Sequence, residues 1–197
     1  MKKLLLILAS TVLVLASVAG TLAWLTSSTD TLNNTFTVGD LTITLDEPNF
    51  PEDPKIVPGS EVPKDPIVTL AAGSEASYVF VKVEIGATLL SEAIQSIDYN
   101  TTAWTKGTGT SGNGVPENVY FRQETAAAAE RDLPALFTKV TFKTGITGAR
   151  LTQICEGYTE EGGTVHAAEG IKVTAYAIQS ANLPAQTAAS AWAMLNA

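Results

Sequence analysis

His166 is the single histidine of this chain, and that count settles several chemical questions at once. A zinc helix of the His-Glu-x-x-His kind needs two imidazoles on one face, so it is excluded, as is any other site built on a histidine pair. A serine triad would have to take His166 as its base, yet no serine stands in a Gly-x-Ser-x-Gly elbow. Cys155 is also single, so no disulfide can form within the chain. Its neighbours, Thr152-Gln-Ile-Cys-Glu-Gly157, do not form a nucleophile turn, and the adjacent Glu156 disfavours the thiolate. Cys155 therefore reads as an inert buried thiol, with pairing between chains as the alternative. Asp46, Glu47, Glu52 and Asp53 offer the oxygen ligands that calcium takes, but without EF-hand spacing they read as a solvated acidic loop. The glycine-rich stretch Gly107–Gly114 is not followed by Gly-Lys-Ser/Thr, so it is no phosphate cradle, and its composition suits a mobile tip. These residues describe a protein that is not an enzyme, holds no metal or other cofactor and acts on no small-molecule substrate.

Charge narrows the partners. The chain has 12 basic and 20 acidic residues, a formal net charge of −8. No broad basic surface is available to neutralise phosphates, so neither nucleic acid nor an anionic membrane surface is expected as a partner. The first 25 residues add an address. Lys2 and Lys3 precede the apolar run Leu4–Val18, and small residues follow at Ala19, Gly20, Thr21 and Ala23. This is the layout of a secretory signal peptide. Ser17-Val18-Ala19 and Thr21-Leu22-Ala23 both present small residues at the positions a signal peptidase reads. An uncleaved anchor is the rival reading, although the run is shorter than the roughly 20 apolar residues of a confident span. Removing residues 1–23 takes away two lysines and no acid, which moves the formal charge from −8 to −10.

The elements that must carry these residues are mostly strands. Leu41, Ile43 and Leu45 alternate with Thr42 and Thr44, as in a half-buried strand. Glu47–Pro66 holds six prolines and reads as extended loop rather than ladder. Ile67–Leu70 is a short strand, and Tyr78–Ile85 is the strongest one, with Val79, Val81, Val83 and Ile85 on one face. Leu90, Ala93, Ile94 and Ile97 repeat at helical spacing, which predicts a short helix over 88–97. Thr101–Lys106 and Val119–Glu124 read as strands flanking the glycine loop. Ala126–Arg131 favours a brief helix, Leu136–Lys143 a strand, and Ile146–Gly157 a partly helical stretch. Ile171–Ile178 is the last strand, and Ala188, Ala191, Trp192 and Leu195 mark a C-terminal amphipathic helix. Seven to nine strands with two or three short helices, without regular strand–helix alternation, predict an all-β, jelly-roll-like β-sandwich. The expected organisation is a signal peptide over 1–23, an N-terminal segment over 24–38 and one domain over 39–197.

Gly20-Thr-Leu-Ala-Trp-Leu-Thr-Ser-Ser-Thr-Asp30, followed by Asn34-Thr-Phe-Thr-Val-Gly-Asp-Leu-Thr-Ile-Thr-Leu45, resembles the N-terminus of the TasA/camelysin family. Lys55-Ile-Val-Pro-Gly-Ser60 with Lys64-Asp-Pro66, and Val173-Thr-Ala-Tyr-Ala-Ile-Gln179 running into Ala191-Trp192, extend the likeness. These are exported proteins of Gram-positive bacteria whose leader is cut by the signal peptidase SipW. The resemblance implies a jelly roll, a cut between Ala23 and Trp24, and extracellular fibres in which the N-terminal segment of one subunit adds as a strand to the next. In this sequence that segment runs from Trp24 to Phe36, with Leu25 and Leu32 among its apolar residues. Its threonines and aromatics suit a strand, while it is too polar to form a core of its own. A floppy tail or an ordinary first strand is the plainer alternative. The partners so implied are other copies of the chain, a SipW-type peptidase during export and an anchoring protein. The metallo-endopeptidase label carried by some members finds no support here, since ligation would fall to His166 and carboxylates.

The leading expectation is thus a secreted structural protein of the biofilm matrix or cell surface. A monomeric surface module that recognises glycan or protein through Trp104 and the glycine loop is the second. An exposed Trp104 favours the module and a buried one counts against it.

Overall fold

The computed structural model describes residues 26–29, 41–51, 54, 56–181, 183 and 186–197. Its strands are, in order, β1 (Thr26–Thr29), β2 (Ile43–Asp46), β3 (Glu61–Pro63), β4 (Ile67–Leu70), β5 (Ser77–Ile85) and β6 (Ile94–Ile97). They continue as β7 (Thr105–Lys106), β8 (Val119–Glu124), β9 (Arg131–Asp132), β10 (Lys139–Phe142), β11 (Tyr158–Thr159), β12 (Val165–His166) and β13 (Ile171–Gln179). Two short α-helices, α1 (Gly148–Glu156) and α2 (Ala188–Leu195), and a π-helical turn at Leu89–Ala93 complete the described elements. Among the described residues every strand pairing is antiparallel: a five-stranded sheet β1-β13-β5-β8-β7, three-stranded sheets β3-β10-β6 and β2-β4-β9, and the hairpin β11-β12. The chain is all-β with a few short helices.

Strand β5 organises the rest because both of its faces are apolar. Val79, Val81 and Val83 point into the main core, where they meet Ile43 of β2, Val68 and Leu70 of β4, Val140 and Phe142 of β10, and Leu151 and Ile154 of α1. Tyr78 and Phe80 point the other way, into a smaller cluster with Val119, Ile178 and Ala191. Helix α2 covers that second face: Trp192 lies 5.3 Å from the Phe80 ring and meets Tyr176 edge-on at 5.5 Å. Its start is fixed by a capping box between Thr187 and Ser190. Burying an aromatic the size of Phe80 contributes about 1.5–3 kcal/mol, so a helix of two turns is held by what it covers rather than by its own propensity.

The described strands number thirteen rather than seven to nine, β10 begins at Lys139 rather than Leu136, and four further sequence expectations change. The helix expected over 88–97 stops early: after the π-helical turn, Ile94–Ile97 is a strand on β10. Ile94 stands opposite Phe142, Ser96 opposite Thr141 and Ile97 opposite Val140, so Gln95 is an extra, bulged residue. The bulge puts Ile94 and Ile97 three apart on one side and imitates helical spacing. The prolines of 47–66 do not keep that stretch out of the sheets, because Val62 enters as the middle of β3, opposite Val140. Pro63 sits on an edge strand, where a missing N–H is tolerated. Only Thr105–Lys106 of the strand expected over 101–106 is extended, and residues 101–103 turn. Ala126–Arg131 is not helical: Ala127 bridges to Ser74, and Arg131 joins β9.

Candidate assembly site

The outer edge of the five-stranded sheet is where the sequence-derived assembly segment meets the described structure. Its strand Thr26–Thr29 runs antiparallel to β13, with Thr26 opposite Ile178, Ser27 opposite Ala177, Ser28 opposite Tyr176 and Thr29 opposite Ala175. Beyond it, β13 pairs over nine residues with β5, from Ile171 opposite Ile85 to Gln179 opposite Ser77. Alternation of small and bulky residues shapes this strand. Val173, Ala175 and Ala177 face the main core, and Tyr176 and Ile178 face the layer under α2. Without β1, the edge of β13 presents a row of free N–H and C=O groups, a template for another strand. Ala23, Trp24, Leu25, Leu32 and Phe36, singled out as cleavage and assembly residues, lie outside the described residues.

Lys82 and Glu84, charges that could check strand aggregation, form an ion pair of 2.8 Å on β5. Lys82 is the largest influence holding the Glu84 carboxyl below its ordinary value. Both sit on the central strand of the sheet rather than on its edge, so they do not guard the β13 edge directly.

The residues considered for chemistry are dispersed. His166 lies on the hairpin, its ring stacked on Tyr158 at 4.4 Å and 5°. Its Nε2 stands 3.1 Å from the Glu160 carboxylate, close enough for an ion pair when protonated but off the hydrogen-bond line. Cys155 sits half-buried near the end of α1, where burial first, then the charges of Glu156 and Glu169, push its thiol up. Of the acidic loop, Glu47 is taken by Lys64 at 2.6 Å and Asp46 is exposed, while Glu52 and Asp53 fall outside the described residues. Among the described residues, no three His, Cys, Asp or Glu side chains gather in a way that could hold a metal ion.

Trp104 takes the outcome that counts against the binding module, and the glycine loop differs from its sequence reading. Trp104 is 1 % exposed, with Arg122 over its ring at 5.5 Å. The loop is braced rather than loose. Asn113 Oδ1 accepts from the Thr108 N–H at 2.9 Å, its Nδ2 donates to the Lys106 carbonyl at 2.9 Å, and the Gly109 N–H donates to the Val115 carbonyl at 2.8 Å. Gly109 and Gly114 hold positive φ of 74° and 75°, which a side chain would oppose. Sequence reasoning missed a buried charge with two cationic partners, Glu124. It is 7 % exposed on β8 and held by Arg122 and by Arg131, the latter at 2.8 Å. Arg131 arrives from a segment that favours helix locally, so the pair had no sequence signal.

No protein-family model, no curated protein and no solved structure matches the chain.

Proposed function

We propose that this chain is a secreted, non-enzymatic structural protein of the extracellular matrix or cell surface, exported with residues 1–23 as its signal peptide. Its subunits assemble head to tail by donating the segment that begins at Trp24. The domain is a jelly roll of the kind the resemblance to the TasA/camelysin family implies, and a SipW-type peptidase and an anchoring protein are its other partners. One observation supports this reading: Thr26–Thr29 pairs, within its own chain, with the outer edge of β13. A segment that satisfies an edge within its own chain satisfies the same edge of a neighbour with the same hydrogen bonds, and such exchange between copies is a low-cost route to assembly. A donated strand makes a heterologous contact, which grows into a filament when it does not close into a ring. The test uses protein beginning at Gly39 and a synthetic peptide of residues 24–38. Saturable binding that competes with strand exchange is expected; no binding at millimolar peptide contradicts the proposal. The buried Trp104 counts against the alternative of a glycan- or protein-binding module.

A further inference from the structure

The braced glycine loop carries a reactive dipeptide that the fold itself demands. The chain has one Asn-Gly step, Asn113-Gly114. Glycine is required at 114, where φ is 75° and a β-carbon would stand 2.6 Å from the Ala189 β-carbon of α2. Asparagine followed by glycine is especially open to spontaneous deamidation, because no side chain shields the glycine nitrogen. That nitrogen attacks Asn113 Cγ. The new N–Cγ bond replaces the Cγ–Nδ2 bond, and the side-chain nitrogen leaves as ammonia with the proton of the glycine N–H. Water then opens the succinimide ring on either side to give aspartate or isoaspartate, and nothing is oxidised or reduced.

Both reacting groups are occupied in the folded loop. The Gly114 N–H donates to the Gly109 carbonyl at 3.0 Å. Asn113 Nδ2 donates to the Lys106 carbonyl at 2.9 Å, while Oδ1 accepts from the Thr108 N–H at 2.9 Å and the Val115 N–H at 3.2 Å. The Asn113 N–H donates to Thr108 Oγ1 at 2.8 Å. Attack by the Gly114 nitrogen gives up its bond to Gly109, and loss of Nδ2 gives up the bond to Lys106. We propose that Asn113-Gly114 is a deamidation site gated by the fold, shielded while the loop is closed and reactive through its local opening. The products oppose closing again. Aspartate has no Nδ2 donor for the Lys106 carbonyl and brings a negative oxygen towards it, and isoaspartate adds a carbon to the backbone that the Gly109–Gly114 bond spans. Residue 113 thereby keeps an irreversible trace of opening. The site is independent of strand donation, and protein that assembles and protein that does not are equally suitable for its test.

The full chain is held at mildly alkaline pH, folded and in enough urea to unfold it, and conversion at residue 113 is followed by peptide mapping with an isoaspartate-specific methyltransferase. Conversion is expected to be at least about tenfold slower in the folded chain. Thr108→Val, which keeps the shape of the side chain but removes the Oγ1 acceptor, speeds conversion of the folded protein several-fold and leaves the rate in urea unchanged. Asn113→Asp, which carries the normal product, exchanges the Gly109 and Gly114 amide hydrogens faster than wild type. The ratio of the two wild-type rates keeps the test decisive should either variant fold poorly. Equal rates in folded and unfolded wild type, a folded Thr108→Val that converts no faster than wild type, or unchanged exchange in Asn113→Asp overturns the proposal.

Discussion

Trp104 donates its indole N–H to the carbonyl oxygen of Pro134, 2.8 Å away and thirty residues further along the chain. This bond ties the turn before β7 to the segment between β9 and β10, and it gives the largest fully buried side chain of the described residues a polar anchor. Trp104→Phe keeps most of the volume but leaves the Pro134 carbonyl without this donor, and costs about 1–3 kcal/mol. Trp104→Ala adds a cavity and costs about 3–5 kcal/mol. Urea denaturation of the two variants separates the hydrogen bond from the packing.

Glu124 is a second place where a single change is expected to be severe. Its carboxylate is buried between Arg122 and Arg131, so Glu124→Ala leaves two guanidinium groups without their counter-charge. The expected loss is about 3–5 kcal/mol, whereas Arg131→Ala, at an arginine whose side chain is 41 % exposed, costs much less. Equal losses from the two variants contradict this account of the cluster.

Asp98 gives a pH dependence with a definite sign. Burial pushes its carboxyl up, but the Thr138 hydroxyl and the backbone N–H groups of Lys139 and Thr138 together outweigh burial and hold it below its ordinary value of 3.8. A carboxyl depressed on folding contributes stability that is fully present above its unfolded value and is lost as the pH falls through the folded one. Wild type is therefore expected to lose stability below about pH 4, and Asp98→Asn to show a shallower dependence there. Parallel stability curves for the two proteins between pH 5 and 2 contradict the assignment.

Helix α2 offers a test of the second layer. Deleting residues 187–197 uncovers the face carrying Tyr78, Phe80 and Ile178. The truncated protein is expected to keep its far-UV signal, bind a hydrophobic dye and lose about 1.5–3 kcal/mol, as does Trp192→Ala to a smaller degree. An unchanged midpoint in both contradicts the covering role.

What the sequence disclosed depended on how local the cause was. Tyr78–Ile85 announces itself because period-2 alternation of large apolar residues is a property of consecutive positions, and α2 likewise shows its own spacing. Ile94 and Ile97 misled because a bulge at Gln95 is imposed by β10, forty-odd residues away, and turns a strand's period into a helix's. Val62 was hidden by the prolines around it, and its strand exists only because Val140 stands opposite. The alanines at 126–129 favour helix, yet Ala127 is fixed by the Ser74 bridge, a tertiary contact that overrides propensity. For the proposed assembly site, the segment came from the resemblance to the TasA/camelysin family, and its polar, strand-forming composition only agreed with it. The sequence did not mark the acceptor, because the edge of β13 is defined by sheet order and not by residue type.

Strand donation is the central claim, and electron microscopy with size-exclusion chromatography tests it most directly. Protein beginning at Trp24 is compared with protein beginning at Gly39, which lacks Thr26–Thr29. The account predicts fibres from the first and monomers from the second. Monomers from both, at high concentration and across pH and salt, would contradict it.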